Sequence, residues 1–199
     1  MASAAFAQSA EEILEKMELA MGGFEKEGMV MTVETKIPVL GTILARTWTL
    51  GDKVKFVTKA SGTDFVSYTD QKTAWSIDVR AKEITITDID ASSSSSAEDG
   101  SGDAEMFEGI TDGYDVSIQK ETDDAWYILA QKSKNNKEKD APKSMDIVVA
   151  KGTYYPVSLS TKMSGITMIM KDIEFGVSEE DVTFDVKKYP KYLIKDKRK

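Results

Sequence analysis

The spacing of apolar residues changes once along this chain and does not change back. Up to residue 24, Ile13, Leu14, Met17, Ala20, Met21 and Phe24 recur at helical spacing and make one apolar stripe. After Gly28 the period is two: Met29, Met31, Val33 and Ile37 alternate with Thr32, Glu34 and Lys36. A single helical stripe followed by period-two segments predicts a helix packed on antiparallel β structure. Ser9 and Glu12 have the spacing of a capping box, and Gly22-Gly23 offers a stop, so the helix is expected over 9–24.

Short strands are expected at 42–50, 53–59, 63–69, 73–79 and 83–88, joined by tight polar turns in the manner of a meander. The second half adds 114–119, 125–132, 143–151, 156–163, 166–175 and a short 182–185. A sheet of about eleven strands curls. The expected class is α+β, mostly antiparallel β: an unclosed (half) barrel with a helical lid. Between the halves, 91–103 contains five consecutive serines and has too little apolar content to order itself, so it reads as a mobile loop. A short helix is expected at 104–110. At 199 residues the chain is long enough for one domain with a real core, expected over 8–199.

Composition narrows function by exclusion. The chain has no cysteine and no histidine, which removes disulfides, thiol nucleophiles and imidazole acid–base chemistry. A net charge of −8 argues against following a phosphate backbone, so no nucleic acid is expected. The last thirteen residues are basic, and read either as a frayed, solvated end or as a contact for anionic headgroups or an acidic partner. No run approaches the roughly 18 apolar residues of a membrane span. Ala5-Phe6-Ala7 before Gln8 fits the end of a signal peptide, so 1–7 is expected to be its remnant and the protein exported, without a lipid-bearing cysteine.

No catalytic constellation emerges. Glu11/Glu12, Asp123/Asp124 and Glu179/Glu180 are sequence neighbours whose side chains diverge on helix or strand. Gly100 and Gly102 lack the strand–turn–helix context of a phosphate loop. A non-enzyme without cofactor or metal is expected. Ten methionines are more notable. They suit either an ordinary core or a pocket that adapts to flexible apolar guests. Arg46, between Leu44 and Trp48, is either a charge inside an apolar cup or an arginine on a solvated face.

Four stretches carry a family resemblance. The helix at 9–24 leads through a glycine into the first strand. Gly41-Thr42-Ile43-Leu44 looks like a glycine-led second strand, and Val66 to Trp75 like a characteristic hairpin. Val182-Thr183-Phe184-Asp185 with Tyr189-Pro190 and Asp196 to Lys199 looks like the family ending. Together they resemble LolA, the periplasmic carrier of outer-membrane lipoproteins, and its lipoprotein-sorting relatives. The resemblance implies an open barrel with a hydrophobic cavity for acyl chains and a functional arginine in the second strand, near Arg46. It also implies a monomer in the periplasm that receives lipoproteins from an inner-membrane exporter and passes them to an outer-membrane acceptor. The cavity candidates are then Met17, Met21, Met31, Val33, Leu44, Arg46, Trp48, Phe56, Trp75, Ile147 and Met168. The alternative is a same-fold binding protein or sensor for another lipid or apolar ligand.

Overall fold

The computed structural model describes residues 8–22, 24–60, 63–89, 110–139 and 141–199. The expected remnant at 1–7, the serine-rich 91–103 and most of the expected helix at 104–110 lie outside them. The chain forms α1 (Ala10–Met21) and α2 (Phe24–Glu27), then β1 (Met29–Ile37), β2 (Gly41–Leu50), β3 (Lys53–Ala60), β4 (Thr63–Thr69), β5 (Thr73–Asp78) and β6 (Glu83–Asp88). After these come β7 (Tyr114–Glu121), β8 (Ala125–Lys132), β9 (Ser144–Ala150), β10 (Pro156–Met163) and β11 (Ile166–Phe175). The end is α3 (Glu179–Val182), a single 3-10 turn at Val186–Lys188, and β12 (Leu193–Asp196).

All twelve strands of the described residues join one sheet in the order β12-β6-β5-β4-β3-β2-β1-β11-β10-β9-β8-β7. Every pairing is antiparallel except β12 on β6. The two chain halves meet where β1 pairs β11, and β7 and β12 never meet, so the sheet is an open half-barrel.

The two apolar layers lie on opposite faces. On the face we call inner, α1 packs over β1 and β7–β11. Its stripe of Ile13, Leu14, Met17 and Met21 joins Met29, Met31, Ile128, Ile147, Leu159 and Met170 in one buried cluster. On the outer face, Tyr68, Ile77, Ile84 and Ile86 of β4–β6 form a second cluster covered by Phe184, Tyr189 and Tyr192. Phe184 stacks on Trp75 with centroids 5.4 Å apart, and Tyr189 stacks on Phe184 at 5.9 Å. Burial beside Tyr68 pushes the Tyr189 hydroxyl well above the usual tyrosine range, so it is neutral throughout the physiological range.

Two C-terminal expectations need correction. Residues 182–185 do not form a strand. Ser178 donates its amide and its hydroxyl to the Asp181 carboxylate at 3.1 and 2.6 Å, Val182 closes the resulting turn of helix, and Phe184 leaves it to cover the aromatic cluster. The basic end is not frayed. Leu193–Asp196 is a parallel strand on β6, Lys195 meets Glu83 at 2.6 Å, and the Lys199 amide donates to Asp88 at 2.8 Å. Arg198 grips Asp196 through Nε and Nη2, which holds that carboxyl at about 2.

Candidate functional site

The site is the layer between α1 and the inner face. The ladder that builds it can be followed strand by strand from the register. Val33 of β1 faces Met170 of β11, Met170 faces Leu159 of β10, Leu159 faces Ile147 of β9, Ile147 faces Ile128 of β8, and Ile128 faces Ile118 of β7. This apolar row crosses six strands, because residues directly opposite on antiparallel strands share a face. Six of the ten methionines (Met17, Met21, Met29, Met31, Met145 and Met170) are buried in this layer, and Met168 packs against it. An unbranched, polarisable side chain changes rotamer at little cost, so such a wall can re-form around a changed occupant.

Beyond β2 the inner face changes character. The row beside the one just traced runs Met31, Thr47, Phe56, Ser67, Ser76, Thr85 across β1 to β6. Thr49, on the same face one step on, is buried and donates its hydroxyl to the Met29 carbonyl at 3.2 Å. The inner face therefore has an apolar, methionine-rich half under α1 and a hydroxyl-rich half over β2–β6.

The attachment of α1 is almost wholly apolar. Its start is capped by Ser9 and Glu12 in a reciprocal box. The Gln8 amide donates to the Tyr154 hydroxyl at 3.1 Å, and Lys16 lies over the Tyr154 ring at 5.2 Å. Near the other end, one carboxylate oxygen of Glu18 is buried with no hydrogen-bond partner among the described residues. That group costs about 1–3 kcal/mol of lost hydration, and it places a negative charge near the helix C-terminus, where the dipole opposes it. Glu18→Gln is expected to raise the melting temperature by a few degrees, read by calorimetry. An unchanged value would show that the carboxylate is solvated.

The structure divides the cavity candidates between the two faces. Met17, Met21, Met31 and Ile147 are buried in the α1 layer, with Val33 and Met168 packed against it. Phe56 shares their face through its pairing with Thr47. Leu44, Arg46, Trp48 and Trp75 lie on the opposite face, because Ala45, Thr47 and Thr49 are the β2 residues aligned with the inward side chains of β1. Arg46 is exposed, with its guanidinium 5.2 Å from the centre of the Trp48 ring. Lys55 covers the same ring at 4.4 Å, and burial lowers its ammonium from the usual lysine range. Of the two positions left open for Arg46, the structure has the solvated one. Arg46→Leu is accordingly expected to change the melting temperature by less than about 2 °C and to leave the α1 layer untouched. A larger loss would mean that the Arg46–Trp48–Lys55 stack holds β2 to β3.

The cavity candidates left out Leu14, Met29, Leu159 and Met170, all at most 2% exposed and all central to the layer. Their signal was present: each continues the apolar period of an element already recognised. An open hollow of about 610 Å³ on β9–β11 includes Tyr155, Ser158, Ile169 and Lys171. Lys171 is held by Glu34 at 2.6 Å, and the same carboxylate takes Lys36 at 3.2 Å. The two lysines together depress the Glu34 carboxyl below its ordinary range. Among the described residues, no group of three or more acidic side chains could hold a metal ion. No helix there is long and apolar enough to cross a membrane.

No protein-family model matches the chain, and no curated protein matches it in sequence. Solved structures do. The lipoprotein LppX of Mycobacterium tuberculosis matches 85% of this chain and 98% of its own, with 15% identity and a TM-score of 0.53. A LolA superfamily protein from Nitrosomonas europaea matches 90% of this chain and 99% of its own, at 12% identity and a TM-score of 0.33. A domain named for outer-membrane lipoprotein sorting, from Vibrio parahaemolyticus, matches 87% and 97%, at 14% identity and a TM-score of 0.35. At these identities the likeness is one of fold. The open antiparallel half-barrel with a helix on one face, and its overlap with LppX in particular, show that this chain shares the fold of LppX.

Proposed function

We propose that the protein is a non-enzymatic lipid carrier of the periplasm. It takes acyl chains, those of lipoproteins in the first instance, between α1 and the inner face, and delivers them to the outer membrane. The observation that carries this reading is the methionine-rich layer, spread over six strands and closed by one twelve-residue helix whose contacts are nearly all apolar. A lipidated protein in water exposes its chains at a cost of roughly 0.8 kcal/mol per methylene, about 12 kcal/mol for sixteen carbons. A wall of Met, Ile and Leu relieves most of that. In the closed form the stripe of α1 occupies the layer, so a guest enters by displacing it. That keeps net affinity low enough for release to an acceptor.

On this reading the inner-face candidates Met17, Met21, Met31, Val33, Phe56, Ile147 and Met168 line the guest. Leu44, Arg46, Trp48 and Trp75 serve the outer face. The protein works as a monomer, loaded by an inner-membrane lipoprotein exporter and unloaded by an outer-membrane acceptor. The hydroxyl row of Thr47, Ser67, Ser76 and Thr85 favours a second reading: a same-fold binding protein or sensor for a lipid with an extended polar head.

A fluorescent fatty-acid analogue should bind the folded protein saturably, and mass spectrometry of the purified protein should find co-purified lipid. Pull-down with a lipidated and an unlipidated form of one lipoprotein separates the two readings. Capture of the lipidated form alone supports the lipoprotein carrier. Capture of neither, with the probe still bound, supports the second reading. Absence of saturable probe binding overturns both.

A further inference from the structure

We propose that the end of the sheet bearing the β1–β2 hairpin docks on an anionic lipid surface. The hairpin tip enters the headgroup boundary and outer-face lysines meet the phosphates. The tip is Pro38-Val39-Leu40, where Val39 is 106% exposed and Leu40 80% exposed. Val39 has φ of 71°, a left-handed conformation that a β-branched residue rarely adopts, and its side chain stands in solvent. The β10–β11 hairpin stands beside it: a Cβ on Gly165 would lie 3.8 Å from the Pro38 ring. Met163 and Ile166 at that second tip, and Ile43 below the first, are also exposed. Two adjacent hairpin ends thus present one contiguous apolar rim, larger than the scattered single residues ordinary for a soluble surface.

Charge says what covers it. By register, Lys36 and Lys162 both sit opposite Thr167 on the outer face. Lys59 lies two strands from Lys36, opposite Leu44, and is already paired with Asp64 at 3.7 Å. Lys36 and Lys171 share the carboxylate of Glu34, and Asp172 adjoins Lys171, so the positive charge nearest the tip is that of Lys36 and Lys162. Lys162 is exposed. The apolar rim on one side and lysines on the other match the cross-section of a lipid surface, hydrocarbon beneath and phosphate above. The opposite end of the sheet has the reverse sign. The turns there carry Asp52, Asp70, Asp123 and Asp124 against Lys72 and Lys151. The ten-residue β2 separates the two ends by about 33 Å, some three Debye lengths at 0.1 M salt. The net charge of −8 therefore does not prevent the basic end from approaching an anionic surface, and the polarity orients the molecule tip first.

This docking surface is independent of the guest layer, and the two are tested separately. Flotation with vesicles of phosphatidylglycerol and phosphatidylcholine should capture the intact protein, and vesicles of phosphatidylcholine alone should capture it at least tenfold less. Val39→Asp with Leu40→Asp should lower capture at least tenfold. Lys36→Glu with Lys162→Glu should lower it severalfold and flatten its salt dependence. Because all four side chains are exposed or partly so, the melting temperature and fatty-acid probe binding should not move, which excludes misfolding as the cause. A Leu40→Trp variant should show blue-shifted emission with anionic vesicles and quenching by brominated lipid. Equal capture by neutral and anionic vesicles, capture that survives the aspartates, or no capture of the wild type overturns the proposal. So does a loss of capture that tracks with loss of probe binding.

Discussion

Gly28→Ala is expected to destabilise the protein by about 3–5 kcal/mol, the largest single-residue effect of any glycine described in this chain. Gly28 has φ of +68°, which alone costs a residue with a Cβ about 1–2 kcal/mol. The added Cβ would lie 2.6 Å from the Thr49 carbonyl oxygen and 2.7 Å from Val177 Cβ. Neither neighbour can yield cheaply. Thr49 is fixed in the β1–β2 ladder, and Val177 is tied by its amide to the Glu27 carbonyl at 2.8 Å. The Gly28 carbonyl also accepts from Gly176 at 3.2 Å, so this junction fastens the start of β1 to the exit of β11. At 2–4 °C per kcal/mol for a chain of this size, the melting temperature should fall by roughly 10 °C. Gly51→Ala is the control. Its φ is +58° but no atom stands within 4 Å, so its cost should be only about 1 kcal/mol. Equal losses at the two sites would mean that left-handed strain, not crowding, sets the effect.

That junction is legible in the amino-acid sequence itself, as the point where the hydrophobic period switches. Much else is legible for the same reason. The stripe of α1 and the alternation of β1, β9 and β11 each have one unambiguous face, and those faces meet in the inner cluster. Strand β2 is the instructive failure. Leu44, Trp48 and Leu50 are the large apolar side chains of one face, against Ile43 alone on the other, and alternation alone would turn that face inward with Arg46 on it. Register decides otherwise: once Met29 and Met31 face α1, their partners Thr49 and Thr47 must share that face. A β-branched threonine can be buried if its hydroxyl is bonded, as Thr49 is. Leu44 and Trp48 then stand outside, where Arg46 and Lys55 shield the indole.

The C-terminal segment failed for a different reason. The alternation of Val182 and Phe184 suggested a strand, but the carboxylates ahead of them read equally as the first turn of a capped helix, and local capping prevailed. Strand β12 has only Leu193 and Ile194 as apolar residues, too few for a periodic signal. Its parallel pairing with β6 depends on the aromatic cluster bringing the chain back across the outer face, which is a tertiary fact.

Leu14→Ala is expected to make the protein less stable and a better binder of an apolar guest. Leu14 has no exposed surface and sits in the middle of the α1 stripe. Truncating a fully buried leucine costs about 2–5 kcal/mol, and nearly all of that loss falls on the contact between α1 and the sheet. If a guest enters by displacing α1, its apparent affinity equals the intrinsic affinity reduced by the fraction of molecules already open. Weakening the closed form raises that fraction, and each 1.4 kcal/mol moved from closure to opening tightens the apparent Kd tenfold. A gain of at least tenfold in affinity for a fluorescent fatty-acid analogue should therefore accompany a lower melting temperature, with the titration run well below the transition. Leu159→Ala is the matched comparison. Leu159 lies beneath α1 on β10 at 2% exposure and pairs with both Met170 and Ile147, so it belongs to the wall the guest would touch. Its loss destabilises the closed form by a similar amount but also removes contact with the guest, so affinity should stay level or fall. Opposite responses from two leucines that cost the fold equally are hard to obtain unless the helix and the guest compete for one layer. If both variants weaken the probe to the same degree, α1 is fixed core and the guest binds elsewhere.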